Sequence, residues 1–434
     1  MLLVNIINKV KLFYEMNVSE KYTSLLLDSG NGWLGNNNAT PSYLAFKQPE
    51  IVFSSVGHKV TIKSHNSTNL INADPLELLD DYLTQGYIAV GYIGYEYSRH
   101  TMEGFCPSCH KEGDKFPDVN FLLYDAKDLI AGDYEDVVSQ LQLPVMNGKS
   151  VSDASIKSEL HACPNMSTYQ YLNMVRKGKA YIEQGDIYQV NLSQRIIAQL
   201  NLDPLEYFLK FYTVQPVPFG SYLDFEDFQL LSGSMELFLR KSGNKLTTNP
   251  IKGTIKRGKT EEIDTILKAK LISSEKERAE NLMIVDLMRN DLGRVSKPGS
   301  VKVNKLFEVE TYSTLHQMVS EVESQVDENM KVSQILRQVF PPGSVTGAPK
   351  RRTLEVIDEL EPHFRGPYCG TIGIFYPNGD FTLSVAIRIM TVQLGKATFF
   401  VGGGIVWDSD PQKEFEETLL KSQAITKAME LYNI

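Results

Sequence analysis

The sequence predicts an α+β fold, two packed antiparallel β-sheets with helices outside. Three observations carry that prediction. Between residues 200 and 434, strand-like and helix-like runs interleave, and adjacent strands are joined by turns as short as Tyr376-Pro377-Asn378-Gly379-Asp380, which suits antiparallel neighbours. No Gly-x-Gly-x-x-Gly follows a strand and there is no P-loop, so a doubly wound nucleotide-binding sheet is not indicated. Finally, 434 residues at 42% hydrophobic composition are ample for a large core, as one big domain or two interlocked lobes.

In chain order, Ser24-Leu25-Leu26-Leu27-Asp28-Ser29-Gly30 is a short apolar strand ending in a turn that Gly30-Asn31-Gly32 supports. Asp74 and Pro75 start a helix, DPLELLDDYLTQ, and YIAVGYIGYEYS is the strand after it. Residues 145–166 are polar and read as a linker or surface crossing, dividing an N-terminal region, 1–150, from a second region, 165–430, the two intimately packed. Ser167 opens a helix that Gly185 ends, and the alternating Ile187–Ser193 run is a strand. Beyond residue 200, strands are predicted at 219–231, 247–255, 302–312, 368–376, 381–392 and 397–407. Helices are predicted at 261–271, 275–291, 313–324, 332–339, 350–360 and 411–431.

Composition excludes several classes. Net charge is −9, with no basic tract, so nucleic-acid binding is not expected. The first residues, MLLVNIINKVKLFYEMN, lack the apolar core of a signal peptide, and no stretch is long enough to span a bilayer, so a cytoplasmic protein without membrane contact is expected. Four cysteines suggest a reduced compartment. Cys106-Pro107-Ser108-Cys109-His110 matches a haem-attachment motif or half a zinc ribbon. Haem attachment needs export, however, and the remaining Cys163 and Cys369 are too far apart to complete a ribbon.

Five features could carry chemistry. In Pro250-Ile251-Lys252-Gly253-Thr254, a lone lysine sits in a strand-like apolar segment followed by a glycine that leaves room for close approach. It is either a strand-end lysine in water or a partly buried nucleophile. Glu277 and Glu280 share a helix face, as do Glu414 and Glu417, with Lys421 one turn on. Facing carboxylates suit Mg²⁺, but Glu277 also fits a capping box with Ser274, and Glu417–Lys421 a surface pair. Pro342-Gly343-Ser344-Val345-Thr346-Gly347-Ala348-Pro349-Lys350 leads into a helix with Pro349 as its first residue, either a carboxylate cradle or a tight loop. Gly402-Gly403-Gly404 opens an apolar strand where a ligand or a neighbouring element comes close. Glu236, His316 and Arg388, the last in an apolar strand, complete the set as catalytic or structural residues.

Together these stretches resemble the chorismate-utilising enzymes, which include anthranilate, aminodeoxychorismate, isochorismate and salicylate synthases. The resemblance is dense over residues 165–430, through Gly185–Leu192, Glu280–Leu292, the Gly-Ala-Pro-Lys loop and Gly404 through Glu417. It is looser over the first 150 residues, through Leu26–Gly30 and Gly91–Tyr95. Within the family, anthranilate synthases typically carry alanine where this chain has Lys252, whereas Pro-Ile-Lys-Gly-Thr looks like aminodeoxychorismate synthase component I.

The resemblance implies that Lys252 attacks C2 of chorismate as the C4 hydroxyl leaves, that Glu236 protonates that hydroxyl, and that ammonia then adds at C4 and expels the lysine. It implies Mg²⁺ as cofactor, with Glu280 and Glu417 as main ligands and Glu277 and Glu414 supporting through water. Ser344, Tyr368, Arg388, Gly404 and Lys421 would bind substrate. His316 matches a histidine implicated in pyruvate elimination in anthranilate synthases, and Ser29 lies in the family's tryptophan-binding element. Two residues depart from the pattern: Met235 stands where the family often has proline, and Ser344 where it often has threonine. No glutaminase half is visible before the chain ends at Ile434, so a separate glutamine amidotransferase partner is expected. The rival expectations are an anthranilate-forming or dual-purpose enzyme, a non-catalytic scaffold for the amidotransferase and, weakest, a zinc- or haem-binding protein.

Overall fold

The computed structural model describes residues 23–35, 42–108, 111–133, 162–312 and 315–430. The predicted 145–166 linker falls mostly outside these residues, as do Cys109, His110 and the first 22 residues.

Among the described residues the strands form two large sheets whose pairings are antiparallel. The ten-stranded sheet has the Ser24–Asp28 strand between Phe219–Asp224 and Ser42–Phe46. Towards its other end, the long Gln189–Gln199 and Lys396–Ile405 strands pair with each other. The twelve-stranded sheet runs from Ile251–Lys256 through Leu315–Gln325 and Lys245–Asn249 to the Ser67–Asn72 edge. The first region therefore supplies strands to both sheets.

Side-chain alternation explains the packing. Leu26 joins the larger hydrophobic core, while Leu25 and Leu27, on the opposite face, join a second core with Phe208, Tyr222 and Phe399. A strand covered on both faces needs no polar side, hence the unbroken Leu25-Leu26-Leu27 run. Helices start where the sequence places their caps. The Asp74 side chain accepts from Leu76 N and Glu77 N ahead of Pro75–Thr84, and Ser167 forms a capping box with Gln170 ahead of Thr168–Glu183.

Five expectations are corrected. The predicted 313–324 helix is instead the Leu315–Gln325 strand. Leu315, Met318, Val319 and Val322 mimic helical spacing, but neighbouring strands hydrogen-bond this segment along both edges. The predicted 219–231 and 381–392 strands each break into two, and the 247–255 strand is interrupted at Pro250, both of its parts pairing with Leu315–Gln325. Arg388 lies in the 381–392 break with φ +51°, rather than inside a strand. The three glycines close the Lys396–Ile405 strand instead of opening one, and Pro349 is the N-cap of a helix that begins at Lys350.

Candidate active site

Lys252 and Gly253 sit at an irregularity in strand pairing. Ile251 pairs with Val319, and the register then shifts before Thr254 pairs with Gln317. Such bulges re-aim side chains. Gly253 has φ +82°, and a Cβ there would meet the Glu277 side chain at 3.0 Å. The glycine thus lets the lysine strand lie against the Glu275–Gly293 helix. Lys252 is half-buried, and its Nζ donates to the Ser344 carbonyl at 3.4 Å. That Nζ also lies 3.4 Å from where a Gly404 Cβ would stand. The lysine, the Ser344 loop and the glycine strand therefore converge on one point.

Glu236 closes the same recess. It is buried, 6% exposed, in the turn between the Gln229–Ser234 and Leu237–Ser242 strands. Burial pushes its carboxyl up to about 7, and the Ser344 side chain, the Lys252 charge and the Ile251 N–H only partly oppose that. Arg388 contributes a guanidinium whose Nη1 meets the Met235 sulfur at 3.0 Å, and burial lowers its pKa. No carboxylate pairs with it among the described residues. A cation held away from water without a counter-ion is a seat for an anionic ligand.

The two glutamate pairs face this recess from separate helices, Glu275–Gly293 and Pro411–Glu430. Burial raises the Glu280 pKa, and the negative charges of Glu277 and Glu417 add to the effect. Burial and the charge of Glu417 likewise raise Glu414, which accepts from Ser409 Oγ at 2.6 Å. Glu417 is exposed and pairs with Lys421 at 2.8 Å, which lowers its pKa, while Lys421 also donates to the Gly402 carbonyl at 2.8 Å. A Cβ at Gly403 would come within 3.1 Å of the Glu414 carboxylate, so glycine keeps that approach open. Two buried carboxyls, Glu280 and Glu414, each raised by burial and by the charge of Glu417, fit a divalent cation. Among the described residues, no three acidic, His or Cys groups are already close enough together to hold one.

The remaining expected residues have other partners. His316 hydrogen-bonds with Thr311 at 3.0 Å and Asp264 at 2.9 Å, not with Lys252 or Glu236. The Tyr368 ring stacks on Phe400 at 5.0 Å in a layer beside Arg365. Ser29 lines a different, open cleft with Trp33, Met235 and Arg240.

Sequence reasoning missed Gln189, which is fully buried, with neither amide atom hydrogen-bonded among the described residues. Its Nε2 lies 3.0 Å from the position a Gly404 Cβ would take. A polar amide inside an otherwise buried strand was its only signal. Lys350 was also missed. It donates to Asp291 at 2.6 Å and to the Val339 carbonyl at 2.8 Å, tying the Ser344 loop to the Glu275–Gly293 helix.

Two antiparallel sheets enclosing a lysine, a near-neutral carboxyl and an unpaired arginine, with acidic helices at the mouth, define an enzyme site for a small polyanion. The family described as chorismate binding enzyme matches residues 23–427, and the chain belongs to it. It is 38% identical over 366 residues to aminodeoxychorismate synthase component 1 of Bacillus subtilis, covering 79% of this chain and 77% of that one. It is 34% identical to the Escherichia coli protein of the same name, covering 96% of each. The crystal structure of anthranilate synthase component I from Streptococcus pneumoniae superposes with TM-score 0.76 at 28% identity, covering 90% of this chain and 93% of that one.

Proposed function

We propose that this chain is the chorismate-aminating component of an aminodeoxychorismate synthase, forming 4-amino-4-deoxychorismate for 4-aminobenzoate and folate synthesis. The observation that carries this reading is Lys252 beside a buried Glu236 whose carboxyl sits near 7. In its neutral form the Lys252 amine attacks C2 of chorismate, both conjugated ring double bonds shift (C1=C2 to C1=C6 and C5=C6 to C4=C5), and the C4–O bond breaks. Glu236 delivers its proton to the departing hydroxyl, which leaves as water. Ammonia then adds at C4, both double bonds shift back, the C2–N bond breaks with its electron pair returning to Lys252, and the proton lost by ammonia restores the acid form of Glu236. Arg388 holds a substrate carboxylate, Ser344 and Gly404 shape the floor, and the Gln189 amide offers a polar contact beside them. Tyr368 and Lys421 are assigned to the substrate side by resemblance, and His316 a supporting role by the same warrant.

Mg²⁺ would be held by Glu280 and Glu417, with Glu277 and Glu414 behind them. When bound, it supplies charge neutralisation for a substrate carboxylate. The name component 1 on both relatives supports a second subunit, a glutamine amidotransferase supplying ammonia. None of the described helices is long and apolar enough to cross a membrane, and we place the protein in the cytoplasm. Exposure to chorismate without ammonia, followed by denaturing mass spectrometry, tests the mechanism. Chorismate less one water should be found on the peptide containing Lys252, and product formation by Lys252→Ala would contradict it.

A further inference from the structure

A cavity of about 180 Å³ lies away from Lys252, between the Tyr95–Thr101 turns, residues 105–108 and 111–118, and the Lys350–Leu360 helix. Its walls include the rings of Phe105, Phe116 and Phe364, with Leu354 and Ile357. The volume suits one aromatic ring. Most of its charges are already paired: Arg99 with Asp118 at 2.6 Å, Lys111 with Asp358 at 3.0 Å and Arg365 with Glu361 at 2.8 Å. Two lining groups have no ion pair among the described residues. One is Glu96, where one oxygen accepts the Arg365 backbone N–H at 2.8 Å. The other is Lys115, whose ammonium lies over the Phe364 ring at 5.3 Å. Ion pairing therefore leaves this cavity one carboxyl and, at its exposed rim, one ammonium, with no ion pair to each other or to another charged side chain among the described residues, beside aromatic walls.

We propose that this cavity is a second ligand site, taking a single-ring aromatic molecule with an amino group for Glu96 and a carboxylate for Lys115, and that its occupancy is felt at Lys252. The connection runs through Arg365. Its backbone holds Glu96, and its guanidinium donates to the carbonyls of Val345 at 3.2 Å and Asn191 at 2.7 Å. Val345 adjoins Ser344, whose carbonyl takes the Lys252 ammonium. Burial holds the Glu96 carboxyl at about 7, so near neutrality it can meet an amine donor in either protonation state. The proposal is independent of which product the enzyme makes, because binding is measured without turnover.

Calorimetry on the full chain with 4-aminobenzoate, benzoate and aniline, with and without saturating chorismate and with ammonia absent, tests the site. One equivalent of 4-aminobenzoate should bind whether or not chorismate is present. Benzoate and aniline, each lacking one charged or polar contact, should bind at least about tenfold more weakly. Lys115→Ala and Glu96→Gln should each weaken 4-aminobenzoate by about the same factor. Lys115→Ala should also leave turnover without 4-aminobenzoate unchanged. Displacement by chorismate, or undiminished affinity in both variants, would overturn the site. Turnover of chorismate with ammonium should change in kcat rather than KM when 4-aminobenzoate is added, and Lys115→Ala should abolish that change. Binding that leaves turnover untouched would overturn the connection to Lys252.

Discussion

Glu236 and Glu361 are both buried carboxyls, 6% and 2% exposed, yet their environments drive them in opposite directions. Burial lifts Glu236 to about 7, while Glu361 is held down at about 2 although burial also acts on it. The difference is the partner. Glu361 takes two hydrogen bonds from the Arg365 guanidinium, at 2.8 Å each, and also accepts from the Ser193 N–H and hydroxyl. Glu236 faces a single lysine charge, one serine and one backbone N–H. The first carboxyl is saturated and structural. The second is left needing a proton, as a general acid for a poor leaving group must be. Burial alone therefore does not mark a catalytic carboxyl in this fold; what matters is whether its partners satisfy it.

Substitutions separate the two regions. Lys252→Ala should have the largest effect, lowering product formation by on the order of 10³-fold or more, measured as steady-state turnover with ammonium, with little change in melting temperature. Glu236→Gln should lower turnover about 10²–10⁴-fold. The wild-type rate should fall as pH rises through about 7, because the acid form is then lost, and the variant's residual rate should lack that fall.

The same carboxyl makes a stability prediction. Between the ordinary glutamate range and about 7, the folded chain keeps a proton that the unfolded chain releases. Its stabilising contribution is therefore present at low pH and lost as pH rises through 7. Glu236→Gln should then melt higher than wild type at pH 8 and close to it at pH 5.

Glu361→Gln should do the converse. Leaving the Arg365 charge short of its partner should cost about 3–5 kcal/mol in denaturant unfolding. Because the Glu361 pKa is depressed, its contribution is present above the ordinary glutamate range and fades as pH falls towards about 2. Glu280→Gln should raise the Mg²⁺ concentration for half-maximal activity by about 10–100-fold without altering the unfolding midpoint. The smallest effect is expected from Lys276→Ala, which removes an exposed partner of Glu280 at 3.8 Å and should change stability by under about 0.5 kcal/mol.

The sequence made much of this site legible, for local reasons. Caps at Asp74, Ser167 and Ser274, and the three-residue spacing of each glutamate pair, are written within a few positions and survive into the fold. The glycine after Lys252 announced a close approach, and Glu277 is what approaches. The Leu315–Gln325 strand reads as a helix in sequence because it is covered on both sides. With His316, Gln317 and Ser320 buried along with its apolar residues, alternation disappears and helical spacing remains. Arg388 reads as a strand residue in sequence because a break with positive φ at an arginine leaves no trace in residue type. The satisfied Glu361–Arg365 pair and the unsatisfied Gln189 amide were illegible because both depend on partners, or missing partners, that tertiary packing decides.

The central claim, that Lys252 directs ammonia to C4 of chorismate, is tested most directly by product identity. The purified chain, given chorismate, Mg²⁺ and ammonium, should yield 4-amino-4-deoxychorismate by mass spectrometry, with the pyruvyl group retained and no anthranilate fluorescence. Fluorescent anthranilate without aminodeoxychorismate would contradict it.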